Sequence, residues 1–202
     1  MNRVLTGFSK PKVAQYANTN GTISYTGGME LALGVSVALN PTASDNAIFY
    51  ANNGPAINGP ARLTGGDVQY TVSEPDKAAI NFIYGLPEPD QEGWTHYGDS
   101  VTPPFLGTGY IERYTNQDGT ESWRPIILTK VKATTRQSAA TTQEAEIAFQ
   151  TGTITFNLFR DDGANHDWKA EGDYYATEAL AEAALNAYLG ISGSQSQSQS
   201  GN

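Results

Sequence analysis

Apolar side chains recur at every second position in one short segment of this chain after another. A period of two belongs to strands with one buried face, and it commits most of the chain to β-sheet. Met29–Leu39 is the clearest case. Leu31, Leu33, Val35, Val37 and Leu39 alternate with Ala32, Gly34, Ser36 and Ala38. The pattern predicts one strand whose large side chains pack on a core and whose small face meets another backbone or water. Gly152–Phe159 places Ile154, Phe156 and Leu158 inward, and Glu144–Phe149 places Ala145, Ile147 and Phe149 inward. Asn46–Ala51 and Asp67–Val72 read as further strands, and Thr22–Thr26 as a short one turned back by Gly27-Gly28. Phe105–Tyr114 and Glu121–Thr134 read as a hairpin with Asp118-Gly119 in the connection.

Composition agrees. The 202 residues hold 21 Gly, 10 Pro and 11 Tyr but only 16% charged residues, against about 25% in an average domain. Many turn formers and little charge suit an all-β body of one domain. With no cysteine, the chain has no disulfide framework, thiolate metal site or cysteine nucleophile. Its two histidines, His96 and His166, are far apart in sequence. Twelve Lys and Arg face 21 Asp and Glu, a formal charge of -9, so clustered cations for gripping phosphate are not expected. The longest apolar runs are too short to span a bilayer. Met1–Lys12 has basic residues but no apolar run of a secretory signal, and folding in a cytoplasm is expected.

Two helices interrupt the β pattern. Ser73-Glu74-Pro75-Asp76 fits a helix-start box, with Ala79, Phe82 and Ile83 as the buried stripe and Gly85 as the stop. Thr177 caps a C-terminal helix whose stripe is Leu180, Ala184, Leu185, Tyr188 and Leu189, ending at Gly190. The domain reading is therefore an arm or first strand over 1–20, a β domain over 21–190, and a Ser/Gln/Gly tail over 191–202 that is too polar to order. Within the domain, 52–66 reads as a long turn-rich loop, and long structureless loops are often functional. A polar loop, Leu86–Pro104, carries Glu88, Asp90, Glu92 and Asp99.

No constellation for catalysis emerges. Gly-x-Ser-x-Gly is absent. Gly107-Thr108-Gly109 starts a dinucleotide pattern, but Glu112 occupies its third glycine position. Asp161–Asp167 is oxygen-rich yet lacks calcium-loop spacing and reads as a polar turn. Glu144 and Glu146 share one strand face opposite Ile147, which reads as a solvated face rather than a glycosidase pair. Trp94, Trp123 and Trp168 fit packing better than sugar stacking. The chain is expected to have no enzymatic activity, catalytic residue, metal or cofactor. Its turn-rich loop, basic arm and low charge suit a subunit that assembles.

The opening MNRVLTGFSKPKVAQYANTNGTISYTGGMELALGVSVAL resembles the start of phage major tail proteins, the phi13-type tail tube proteins of long non-contractile-tailed phages. The stretches GGDVQYTVSEPDKAAINFIYGL, TTQEAEIAFQTGTITFNLFR and DWKAEGDYYATEALAEAALNAYLG are similar to that family in order and spacing. The resemblance implies a mainly β fold: a tail-tube-type β-sandwich or partly open barrel flanked by a helix, with a further C-terminal helix. It implies a structural virion protein. Six-membered rings of identical subunits stack into a tube through which DNA passes without specific binding. The implied partners are the chain itself, a tape measure protein, and tail terminator and tip proteins. The implied location is the virion tail, after assembly in the host cytoplasm, with no membrane insertion.

On this reading, Asn52, Asn53, Gly54, Pro55, Asn58, Pro60 and Arg62 are candidate ring-to-ring contacts. Arg3, Phe8, Lys10 and Lys12 are candidate arm contacts, with the Glu88–Asp99 loop of a neighbour as their acidic surface. Glu144 and Glu146 are candidate lumen acids that repel the DNA backbone. The alternative is a carbohydrate-binding β-sandwich, motivated by the Tyr, Trp, Asn and Gly content.

Overall fold

The structure, a computed structural model, describes residues 3–45, 48–51, 54–58, 61–136, 142 and 151–191. Glu144, Glu146, Asn52, Asn53 and Pro60 lie outside them, as do the strand expected over Glu144–Phe149 and the Ser/Gln tail from residue 192.

Of the two readings of residues 1–20, arm or first strand, the strand holds: Arg3–Thr19 is β1, the longest strand. Asn20 and Gly21, both with positive φ, turn it into β2 (Thr22–Glu30), with Thr19 opposite Thr22. Asn-Gly is the pair that a two-residue hairpin with left-handed central residues favours. Gly27-Gly28 therefore does not turn the chain. It forms a bulge inside β2, where the register against β1 shifts between Val13 and Gln15.

Met29–Leu39 is not one strand. The chain leaves β2 at Glu30, crosses over through Leu31–Leu33, and starts β3 (Gly34–Ala43). Leu31 is buried, with its N–H donated to the Pro11 carbonyl at 2.9 Å. Leu33 and Val35 are 73% and 59% exposed. On the small face Ser36 and Ala38 are exposed, whereas Gly34 is closely covered by side chains of β1: a Cβ there would sit 2.3 Å from the Phe8 ring.

The stretch read as a loop also has order. β4 (Ile48–Ala51) pairs antiparallel with β5 (Gly54–Asn58) as a separate two-stranded hairpin. It is followed by β6 (Leu63–Val72), which pairs β3. Helix α1 (Lys77–Tyr84) begins after Asp76, whose side chain makes no capping bond. Ser73 is diverted from capping and accepts the Leu33 N–H at 3.2 Å. Gly85, at φ 63°, ends the helix as expected, while Ile80 and Tyr84 join Ala79 and Ile83 on its buried face.

The expected hairpin is present as β7 (Phe105–Asn116) and β8 (Glu121–Ala133). Next come β9 (Gly152–Phe159), β10 (Lys169–Glu171) and α2 (Glu178–Tyr188). Thr177 caps α2 by accepting the Leu180 N–H at 3.4 Å. Of the expected stripe Leu185 and Leu189 are buried, while Leu180 and Tyr188 are 54% and 45% exposed; Ala181 takes a buried place in their stead.

The strands make one antiparallel sheet in the order β2-β1-β7-β8-β9-β6-β3, with β10 beside β8. The expected mainly β class with a C-terminal helix holds: eight strands form one sheet that is not closed. The sheet rolls, so that Phe8 and Pro11 of β1 lie against Gly34 of β3, the opposite edge strand. The concave face holds the main core, including Val13, Tyr70, Leu106, Leu128, Phe156 and Ile83 of α1. Tyr70 is fully buried and stacks edge-on to Tyr110 and Phe156 at 6.0 Å. The Tyr70 and Thr108 hydroxyls are hydrogen-bonded at 3.2 Å, and Thr108 donates in turn to the Lys12 carbonyl, so this phenol is not orphaned. The opposite face forms a smaller core under α2, where Ala14, Ile111 and Ile127 meet Ala181, Leu185 and Leu189. Each large apolar side chain buried in these layers contributes roughly 1.5–3 kcal/mol.

Two adjacent glycines of β6 test this packing with opposite signs. Gly66 has φ 128°, and a Cβ there would fall 2.3 Å from the Asn40 carbonyl oxygen. Gly66→Ala is expected to destabilise by at least about 1–3 kcal/mol. A Cβ at Gly65 meets nothing within 4 Å. Gly65→Ala is expected to be neutral or stabilising by up to about 1 kcal/mol. Urea unfolding of both variants checks the contrast.

Candidate assembly surface

Lys10 and Lys12 reach α2 of their own chain. β1 carries a one-residue bulge at Lys10-Pro11, where the register against β7 jumps from Ser9–Ile111 to Lys12–Gly109. Lys10 takes φ 52° to make it. A bulge reverses the alternation of side chains beyond it. Phe8, before the bulge, faces the main core and contacts the Tyr70 and Tyr110 rings at 6.2 and 5.5 Å. Lys12, four residues on, faces α2 instead of the core.

Lys12 is only 6% exposed. Its Nζ donates to Glu182 Oε1 at 2.5 Å and to Asn186 Oδ1 at 2.8 Å. Lys10 Nζ lies 3.7 Å from the other Glu182 oxygen, and Ser9 donates to Glu178. Glu178, Glu182 and Asn186 are spaced four apart, so they form one polar stripe on α2 beside the apolar stripe of Ala181, Leu185 and Leu189. That stripe is the signal by which the partner of the N-terminal cations could be found. Burial works to raise the Glu182 pKa, but the hydrogen bond from Lys12 and the ammonium charges outweigh it and hold the carboxyl below its ordinary 4.5. Arg3, at the far end of β1, stacks 3.9 Å from the centre of the Tyr174 ring. None of the four candidate arm residues forms a free arm.

Of the candidate ring contacts, Gly54, Pro55 and Asn58 sit in β5, opposite Ala51, Tyr50 and Ile48. Arg62 is exposed at the base of this hairpin, where Ser44 and Arg62 exchange main-chain and hydroxyl bonds at 2.8 and 3.1 Å. That base opens a cleft of about 840 Å³ between the start of β6 and the end of β9. Arg62, Lys130, Arg160 and His166 line it, together with Asp161 and Asp162. The Asp161–Asp167 stretch is a turn, as expected, with the Asp161 N–H donated to the Asp167 carbonyl at 2.8 Å. Asp162 accepts from Lys130 Nζ at 2.6 Å and from the Tyr16 hydroxyl at 2.8 Å. The Lys130 bond holds the Asp162 carboxyl below its usual range. Burial pushes Tyr16 up to about 12, so it serves as a neutral donor.

The acidic loop after α1 is built around Asp90. Its Oδ1 accepts the N–H groups of Glu92 and Trp94 at 3.0 and 2.8 Å, and its Oδ2 lies 2.9 Å from His96 Nε2. The His96 hydrogen bond lowers the Asp90 pKa first, and the backbone donors add to it. Lys77 of α1 donates to the Gly93 carbonyl at 3.2 Å and pins the loop tip to the helix start. Trp94 and Tyr97 are 67% and 58% exposed. Trp123 and Trp168 behave as expected and pack against the outer and main cores.

Among the described residues, no group of three or more His, Asp or Glu side chains could hold a metal ion. No helix among them is long and apolar enough to cross a membrane. Lys10, Lys12 and Lys130 each join one element of the fold to another through a carboxylate.

Glu182→Gln leaves the buried Lys12 ammonium without its counter-charge. The expected cost is on the order of 1–3 kcal/mol at neutral pH. Because the folded-state pKa of Glu182 lies below 4.5, its contribution is complete above that pH and is lost as pH falls through the folded value. Denaturant melts of the parent from pH 7 to pH 3 should lose this increment, and the variant should lose less.

Compared with known proteins, the chain matches no family model, and no curated protein shows significant similarity to it.

Proposed function

We propose that this chain is a structural subunit that self-assembles, six copies to a ring and ring upon ring, into a virion tail tube that delivers phage DNA. The observation that carries the reading is the open sheet. β2 and β3 end it, and neither pairs with a further strand among the described residues. β3 presents Val35 at one edge, just after the exposed Leu33 of the crossover, and β1 presents Val4 and Leu5, 65% and 55% exposed, at its N-terminal half. Exposed strand edges with apolar side chains are pairing templates that monomeric proteins suppress. A subunit that uses them needs a head-to-tail contact, and such contacts close into rings or run on into filaments. The resemblance in segment order supports the same reading. A charge of -9 per subunit suits a bore that phosphates pass without sticking.

The carbohydrate-binding reading draws on one observation, the exposure of Trp94 and Tyr97 on a single loop.

Negative-stain electron microscopy of concentrated protein is expected to show tubes or stacked rings. Val35→Lys puts a charge on an exposed edge position. It is expected to leave the circular dichroism spectrum unchanged and to abolish the assemblies. A monomer at every concentration, with tryptophan fluorescence that responds to oligosaccharide, supports the carbohydrate reading instead.

A further inference from the structure

The chain has twelve Lys and Arg, and nearly all are engaged inside the fold. Lys10, Lys12, Arg113, Arg124, Lys130, Arg136 and Lys169 each face a carboxylate. Arg3 lies over Tyr174 and Lys132 over Phe105, and Lys77 bonds a carbonyl. Among the described residues, Arg62 and Arg160 have no such partner. Both are exposed and both line the cleft at the β6–β9 end.

One cluster of unpaired acid lies on the loop after α1. Glu88, Glu92 and Asp99 are exposed and, among the described residues, pair with no cation. The Asp90 bonds hold the loop tip in shape before any encounter, which lowers the ordering cost of docking. Beside the carboxylates stands Trp94, a side-chain type over-represented among residues that dominate interface energies.

The two surfaces lie at opposite ends of one strand. The cleft is at the start of β6, around Leu63–Gly66. The loop tip is tied to Lys77, at the start of the helix that follows the end of β6. Ten residues of strand separate those ends by roughly 30 Å, which sets the loop tip apart from the cleft, while the foot of the same loop leads into Phe105 beside Phe159 and Lys130 of the cleft.

We propose that the cleft receives the acidic loop of a second copy of this chain, with Arg62 and Arg160 of one copy facing Glu88 and Glu92 of the next. The inference rests on the self-assembly reading and names the head-to-tail contact within it.

Charge exchange on the full chain tests it. One variant carries Arg62→Glu and Arg160→Glu, the other Glu88→Lys and Glu92→Lys. All four positions are exposed, so both are expected to fold as the parent does. Alone, each should need on the order of ten times more protein to assemble at low salt. Mixed in equal amounts, they should assemble near the parental concentration, because every cleft then has a complementary loop if the copies alternate. Single variants that assemble like the parent overturn the contact and leave the self-assembly reading standing. Single variants that fail, with a mixture that fails as well, overturn the pairing. A parent that never assembles removes both.

Discussion

Burial of the Lys12 ammonium between β1 and α2 is the interaction on which the arrangement of charge in this protein depends. A lysine that is 6% exposed is tolerated only with a carboxylate and a second oxygen at hand. Glu182 and Asn186 supply both, one helical turn apart. The geometry fixes the rotation of α2 on the sheet, and with it the seating of Ala181, Leu185 and Leu189 over Ala14, Ile111 and Ile127. Charge and apolar area thus act on one helix face.

That pairing removes Lys12 from the molecular surface and ties Lys10, whose side chain stays 38% exposed, to the same carboxylate. The basic arm dissolves into a sheet strand, and the acidic loop after α1 keeps its exposed carboxylates. Among the described residues, the cations without an internal partner, Arg62 and Arg160, lie at the other end of β6 and β9. The rolled sheet completes the separation: its concave face is filled by its own side chains and α1, its other face is covered by α2 over β1, β7 and β8, and its edges remain open.

Legibility varied with how local the determining interaction is. The α2 cap at Thr177, the stop at Gly85, the β7–β8 hairpin around Asp118-Gly119 and the inward set Ile154, Phe156 and Leu158 were readable because each is decided within a few residues. The β1–β2 turn was readable too, since Asn20-Gly21 is a strong two-residue hairpin signal, but Gly27-Gly28 drew the turn to itself. Met29–Leu39 misled for a different reason. Perfect alternation of side chains carries no information about where a strand ends, and the chain breaks between Glu30 and Gly34 to change partners, leaving Leu33 and Val35 in solvent. Of the candidate contact surface, Arg62 and the Glu88–Asp99 loop stood out in the sequence by their polar, turn-rich setting, and Arg62, Glu88, Glu92 and Asp99 are exposed. Arg160 was missed, because nothing in its neighbourhood of sequence marks a cleft that β6 and β9 create together.

Alone, the sequence determined the class of the fold, the places of both helices and most of the inward-facing residues, because period and capping chemistry act over one or two turns of chain. The tertiary structure alone decided that residues 3–19 are a wall of the sheet and that Lys12 points at α2. A single inserted residue at Lys10-Pro11 reverses which face every later side chain occupies, and only the strand pairing with β7 shows that the insertion is there.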